Sequence, residues 1–125
     1  MASKAKGSNA ERELVTLLWG LNFAAVRAAG SGVSRFYSPD VLASNGIKTL
    51  AIECKSTKHD YQYFEPEQIR QLILFAKQFG AEPWLAVKFS KEWKFFRPED
   101  AKQTKNFFVV KKDNFGRLLP ELTGL

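Results

Sequence analysis

Asp40, Glu53 and Lys55 are the residues whose types and spacing could do chemistry. Pro39-Asp40 is followed, after twelve intervening residues, by Glu53-Cys54-Lys55. Two carboxylates with waters suit Mg²⁺, which usually takes one or two protein carboxylates together with substrate phosphate oxygens. Mg²⁺ there could polarise a phosphoryl oxygen and lower the pKa of a bound water, while Lys55 orients that water and offsets transition-state charge. The set indicates phosphodiester hydrolysis, although a Pro-Asp pair and a Glu-x-Lys strand both also occur by chance.

Two predicted strands must position these side chains. Residues 47–55 are largely β-branched and apolar, which predicts a strand whose side chains alternate between faces. Glu53 and Lys55 then share a face, separated by about 7 Å of strand rise. Residues 41–43 predict a shorter strand, and Asn45-Gly46 between the runs is a strong hairpin-turn dipeptide. The hairpin would bring Asp40 and Glu53 together near the same end.

The rest of the chain alternates helical and strand patterns. Helical spacing and a Ser8 N-cap predict a first helix over residues 9–21, and a second helix begins at Pro66 and ends at Gly80. Its expected buried stripe is Ile69, Leu72, Ile73, Ala76 and Phe79. Strands are predicted at 23–28, 84–89, 93–96 and 107–110, with a loop at 56–64, a weak helix at 98–102 and an irregular tail. This order predicts an α/β fold with a central mixed β-sheet flanked by helices.

Composition and charge restrict the kind of protein. A length of 125 residues predicts one domain, residues 1–125, and 45% apolar residues suffice for a packed core. The formal charge of +6 and pI near 9.6 indicate a polyanionic partner. One histidine and one cysteine exclude a zinc site rich in these residues. No apolar stretch suits a membrane span or a secretory signal, and the single cysteine fits a reducing compartment, so a cytoplasmic location is expected.

Several segments together resemble one family. They are residues 7–13 opening the first helix, residues 23–31, Pro39-Asp40, residues 52–56 and residues 85–88. In this order and spacing, from Gly7 to about Phe89, the chain resembles archaeal-type Holliday junction resolvases. These belong to the PD-(D/E)-x-K superfamily, which has the type II restriction endonuclease fold. The resemblance implies a homodimer that resolves four-way DNA junctions by paired symmetric nicks, with Mg²⁺ as cofactor, Mn²⁺ able to replace it, and no small-molecule cofactor.

The resemblance also implies roles for individual residues. Glu11, Asp40, Glu53 and Lys55 correspond to the family's active site, with the three carboxylates as metal ligands. Some family members use a serine on the loop that here contains Ser31, which adds this residue to the catalytic candidates. From the residues alone, Glu11 could simply close a capping box at the helix start, and the Ser31 hydroxyl could cap a turn.

Arg12, Arg27, Arg35 and Lys88 are the candidates for DNA binding. Arg12 and Arg27 match basic positions of the family, and Arg35 lies in the segment 32–38, which could close over a DNA backbone. Arg12 could equally be a solvated helix residue, and Lys88 a surface lysine that extends its charge into water. For both Arg12 and Lys88, the more specific interpretation is a contact with a DNA phosphate.

Eleven phenylalanines and three tryptophans are many for so short a chain. Either a thick aromatic core or a homodimer interface would explain them, and the resemblance favours pairing through the late strands and the second helix.

The alternatives for function are a restriction-like or repair nuclease acting on another DNA structure, a noncatalytic junction-binding homologue, and an RNA-directed nuclease.

Overall fold

The structure is a computed structural model that describes residues 2–28, 36–113 and 116–124, with side chains in these ranges except those of 2–7, 122 and 123. Its helices are α1 (Ala2–Trp19), α2 (Pro66–Phe79), α3 (Leu119–Thr123) and a 3₁₀ turn (Pro98–Asp100). Its strands are β1 (Ala24–Arg27), β2 (Val41–Ser44), β3 (Thr49–Thr57), β4 (Tyr61–Phe64), β5 (Glu82–Phe89), β6 (Glu92–Phe96), β7 (Lys102–Gln103) and β8 (Phe108–Lys111).

A five-stranded sheet in the order β1-β2-β3-β5-β6 forms the centre of the fold. The pair β3 and β5 is parallel, and the other neighbours are antiparallel, so the sheet is mixed. A second, three-stranded antiparallel sheet has the order β4-β8-β7. The predicted fold class, a mixed sheet with helices, is therefore confirmed.

The central strand β3 is covered on both faces. Leu50, Ile52 and Cys54 belong to a hydrophobic cluster with α1, whereas Ala51 belongs to a second cluster with α2 and the smaller sheet. The alternation predicted for this strand is thus correct. It directs the side chain of Glu53, two residues after Ala51, to the α2 side.

The second helix begins and ends as predicted. Its C-cap, Gly80, has φ of 80°, a left-handed conformation that glycine adopts without the steric penalty of a Cβ. The buried stripe is narrower than expected and consists of Ile69, Leu72 and Ala76. Ile73 and Phe79 were predicted to be buried and instead expose 42% and 54% of their surface, because the helix contacts the core through one narrow face.

Helix α1 begins earlier and ends earlier than predicted. It starts at Ala2, so Ser8 lies inside the helix and is not its N-cap. The preceding alanine and lysine residues favour helix, and the Ser8 hydroxyl accepts a hydrogen bond from Arg27 at 2.9 Å. The helix ends at Trp19, followed by a turn in which Asn22 has a positive φ of 66°.

Two other expectations for the later chain are wrong. The predicted loop 56–64 contains the end of β3 and all of β4, because Tyr61–Phe64 pairs with β8; Tyr61 and Tyr63 are exposed, whereas Phe64 is buried. The tail forms α3 instead of an irregular segment. By contrast, the hairpins β2–β3 and β5–β6 form as predicted, and the weak helix is a 3₁₀ turn.

The aromatic residues divide between the core and the surface. Phe89, Phe95 and Phe96 are fully buried, so the thick aromatic core accounts for much of the late-strand aromatic content. Phe107 and Phe79, however, expose 42% and 54%. In the described parts of the chain, no helix is both long and apolar enough to cross a membrane.

Candidate active site

The β2–β3 hairpin brings Asp40 and Glu53 together. Val41 pairs with Ile52 at the end of the ladder, and Asp40 and Glu53 follow one step beyond that pair. The Cys54 backbone N–H donates a hydrogen bond to Asp40 Oδ2 at 2.8 Å, which fixes the Asp40 carboxyl against β3. The convergence predicted from the hairpin is confirmed.

Both carboxyl groups lie in an environment that opposes their charge. Glu53 is only 5% exposed. Burial, and next the negative charge of Asp40, raise the pKa of Glu53, while burial also raises the pKa of Asp40 against the opposing hydrogen bond from Cys54. Two close carboxyls titrate as a pair, and a proton or a cation between them relieves their repulsion.

Lys55 lies two residues after Glu53 and is partly buried. Its positive charge favours the ionised forms of both Asp40 and Glu53 and so lowers their pKa values against the effect of burial. The predicted grouping of two carboxylates and one ammonium near the end of the hairpin is therefore present. A negatively charged group approaching the carboxylates would meet this cation.

Tyr37 is a site residue that sequence reasoning missed. Its hydroxyl donates a hydrogen bond to Glu53 Oε1. Its ring meets Phe75 of α2 edge-on, with centroids 6.0 Å apart. Burial, and next the charge of Glu53, raise the pKa of the Tyr37 phenol, which therefore remains a donor. The sequence signal was slight: a tyrosine three residues before Asp40.

Glu11 lies beside this pair but is held by an arginine. Arg27 Nε donates to Glu11 Oε1 at 2.8 Å, and the same guanidinium bonds Ser8. Burial, and next the charge of Asp40, raise the pKa of Glu11. Because Glu11 lies inside α1, its alternative interpretation as a capping-box residue is wrong.

The fit of the site to a divalent cation rests on Asp40 and Glu53. Their oxygen atoms are hard ligands, and their burial as a like-charged pair favours a positive ion between them. Within residues 2–28, 36–113 and 116–124, no group of three or more His, Cys, Asp or Glu side chains is arranged to hold a metal ion. The donor set thus suits Mg²⁺, which takes one or two protein carboxylates and retains water, and does not suit an all-protein cage.

Of the candidate DNA-binding residues, Arg12 is exposed, whereas Lys88 forms an ion pair. Arg12 is exposed, and its charge lowers the pKa of Glu11, so the two lie close together. Lys88 Nζ is bound to Glu13 Oε1 at 2.5 Å, and Glu13 Oε2 accepts a hydrogen bond from Trp93 Nε1 at 2.9 Å. Lys88 is therefore not a freely solvated lysine, and its ion pair with α1 was missed from the sequence.

Two candidates, Ser31 and Arg35, lie outside the described residues. The predictions for them stay predictions.

The fold and the site together define a class of protein. A mixed sheet with helices on both sides, a Glu-x-Lys pair on its central strand and an aspartate directly before the adjacent hairpin strand are the arrangement of restriction-endonuclease-like proteins of the PD-(D/E)-x-K type.

Within that class, the family is established by comparison. The family model described as archaeal Holliday junction resolvase (Hjc) matches residues 2–123, and the chain belongs to this family.

Similar proteins agree with this assignment. The crossover junction endodeoxyribonuclease Hjc of Archaeoglobus fulgidus is 44% identical over 108 residues, which are 86% of this chain and 79% of that protein. The crossover junction endodeoxyribonuclease Hje of Saccharolobus solfataricus is 41% identical over 112 residues, 86% of this chain and 80% of that protein. The structure of Archaeoglobus fulgidus Hjc, solved at 1.6 Å resolution, superposes with a TM-score of 0.89 at 38% identity, covering 94% of this chain and all of that one.

Proposed function

We propose that this protein is a structure-selective endodeoxyribonuclease that resolves four-way DNA junctions by paired symmetric nicks. The observation that carries the proposal is the cluster of Asp40, Glu53 and Lys55 at the β2–β3 hairpin of a chain that belongs to the junction resolvase family. A buried carboxylate, Glu53, a partly buried one, Asp40, and an adjacent ammonium are suited to phosphodiester hydrolysis. The intact cluster favours an enzyme over a noncatalytic junction-binding homologue.

In this proposal Asp40 and Glu53 hold a divalent cation, Mg²⁺ or its substitute Mn²⁺. When bound, the ion supplies positive charge that polarises a phosphoryl oxygen and stabilises the leaving alkoxide. The Cys54 N–H keeps the Asp40 carboxylate in place at 2.8 Å. Lys55 orients the attacking water and offsets charge that accumulates on the phosphoryl oxygens. Glu11, which Arg27 holds beside this pair, would contribute from α1 directly or through a metal-bound water.

Basic residues around the Asp40, Glu53 and Lys55 cluster provide phosphate recognition. The Arg27 guanidinium bridges β1 and α1 next to the carboxylates, and exposed Arg12 extends the positive surface from the same helix. Lys88 of β5 forms an ion pair with Glu13 of α1 and is a further candidate for a phosphate contact. Arginines and lysines that contact phosphates fix the position of DNA without reading its sequence. Binding should therefore depend on branch shape and salt more than on base sequence.

A homodimer completes the proposal. α2 exposes Ile73, Leu74 and Phe79. The rings of Phe75 and Phe79 stack with centroids 5.1 Å apart and extend this apolar surface. Burying such a surface against a second copy would remove apolar area from water. A two-fold dimer presents two identical sites to two opposed strands, which explains paired nicks on a four-way junction.

The experiment that tests the proposal compares substrates. Wild-type protein is incubated with Mg²⁺ and either a labelled mobile four-way junction or a linear duplex of the same sequence, with an RNA competitor in a parallel reaction. Symmetric nicks in the junction alone are the expected result. Equal cutting of junction and duplex would instead identify a general or repair-type nuclease, and tight junction binding without cleavage would identify a noncatalytic homologue.

A further inference from the structure

Among the described side chains, Tyr37 donates a hydroxyl hydrogen bond to the Glu53 carboxyl group. The hydroxyl hydrogen is directed at Oε1, and Tyr37 lies only three residues before Asp40. One carboxyl oxygen of Glu53 is therefore occupied by a neutral donor. The rotation of the carboxyl group about its terminal bond is restricted by this contact.

The tyrosine ring is itself held in place by α2. Tyr37 packs against the hydrophobic cluster that includes Ile69 and Leu72, and its ring meets Phe75 at an interplanar angle of 71°. Edge-to-face pairs of this kind are favourable beyond their buried area. The hydroxyl position is thus determined by packing on a rigid helix, and the chain of contacts runs from Phe75 through Tyr37 to Glu53.

We propose that Tyr37 is a positioning residue, which orients the Glu53 carboxylate for the divalent cation and links it to α2. This inference rests on the proposed function, because it assumes that Glu53 is a metal ligand. Hydrogen-bond partners outside the ligand set fix the orientation of metal-binding side chains, and their loss typically lowers metal affinity or activity by about 10- to 100-fold. Tyr37 touches neither the reacting phosphate nor the water in this account, so its effect passes through Glu53.

Tyr37→Phe is the direct test, because it removes the hydroxyl and retains the ring that packs on Phe75. Mn²⁺ binding is measured without DNA by titration with electron paramagnetic resonance, and folding is checked by circular dichroism. The expected result is a dissociation constant for Mn²⁺ raised by about tenfold or more, with unchanged junction binding in EDTA and cleavage restored at high metal concentration. Tyr63→Phe is the matched control, because Tyr63 is an exposed tyrosine of β4 whose ring contacts Tyr61 and Phe107.

Several outcomes would overturn the inference. An unchanged Mn²⁺ dissociation constant in Tyr37→Phe means that the hydroxyl does not orient Glu53. An unfolded Tyr37→Phe protein assigns the hydroxyl to stability, and reduced cleavage at saturating metal with normal affinity assigns it to the reaction itself. Wild type that binds Mn²⁺ but cuts no junction would defeat the proposed function alone, whereas wild type that binds no Mn²⁺ would defeat both.

Discussion

Asp40 and Glu53 face each other one step beyond the last pair of the β2–β3 ladder, where burial opposes the charge of both and the negative charge of Asp40 further opposes that of Glu53. The hairpin thus concentrates negative charge where little water can compensate it. Such a pair is unfavourable in the free protein and becomes favourable when a cation or a proton neutralises it.

The charged pair should make the metal-free protein less stable as pH rises. A carboxyl whose folded pKa is raised binds its proton more tightly in the folded state, so stability is greatest below the ordinary pKa of 4.5 and falls as pH rises toward the raised value. Glu53→Gln should remove most of this dependence and raise the free energy of unfolding at pH 8 by on the order of 2 kcal/mol. Urea denaturation in EDTA at pH 5 and pH 8 measures the effect. The prediction would be contradicted if the wild type were more stable at pH 8 than at pH 5 and Glu53→Gln did not raise the free energy of unfolding at pH 8.

Lys55→Met should strongly slow cleavage while leaving junction binding largely intact. The lysine offsets charge at the reaction centre, and removing a single group of this kind typically costs about 100- to 1,000-fold in rate. Single-turnover cleavage and a gel-shift titration separate the two effects. Lys112→Met is a suitable control, because Lys112 makes a partly exposed ion pair with Glu92. Loss of binding equal to the loss of rate would show that Lys55 only holds DNA.

Arg27→Gln should weaken both junction binding and cleavage. The variant releases Glu11 and Ser8 and removes a cation from beside Asp40, whose pKa should rise because Arg27 lowers it. Cleavage should fall by about tenfold or more, and the slope of log affinity against log salt should become shallower by roughly one. Arg70→Gln provides the comparison, because Arg70 pairs with Glu67 on the exposed surface of α2. If the slope of log affinity against log salt is unchanged in Arg27→Gln, Arg27 does not contact DNA phosphates.

Phe79→Glu should convert the protein to monomers. Phe79 is 54% exposed in the single chain, so a charged side chain there is tolerated by the fold but not by an apolar interface. Sedimentation should show half the wild-type mass, and junction cleavage should give single nicks instead of paired ones. Ile47→Glu makes the same change at the tip of the β2–β3 hairpin, where Ile47 is 95% exposed, and should leave the mass unaltered. A wild type that sediments as a monomer would contradict the interface.

The hairpin was predictable from the sequence because its determinants are local. Asn45-Gly46 specifies the turn, and strict alternation along β3 specifies which side chains share a face with Glu53. The start of α1 was mistaken because Ser8 and Glu11 resemble a capping box, whereas Arg27, far along the chain, binds both.

Contacts between distant segments lay beyond sequence reasoning. Glu13 bonds Lys88 and Trp93 across separations of 75 and 80 residues, and these bonds form because α1 shares a hydrophobic cluster with residues of β5 and β6. Tyr37 is a similar case, since its contact with Glu53 depends on packing against α2. Strand β4 was missed because its pairing partner, β8, lies more than forty residues later.

The most direct test of the central claim is the behaviour of Asp40→Asn on a four-way junction. The substitution preserves shape and the ability to accept the Cys54 N–H but removes the negative charge from the proposed metal site. We expect junction affinity in EDTA within a few-fold of wild type and a loss of Mg²⁺-dependent cleavage of about 1,000-fold or more. Cleavage by Asp40→Asn at the wild-type rate, with the same Mg²⁺ dependence, would contradict the assignment of this site.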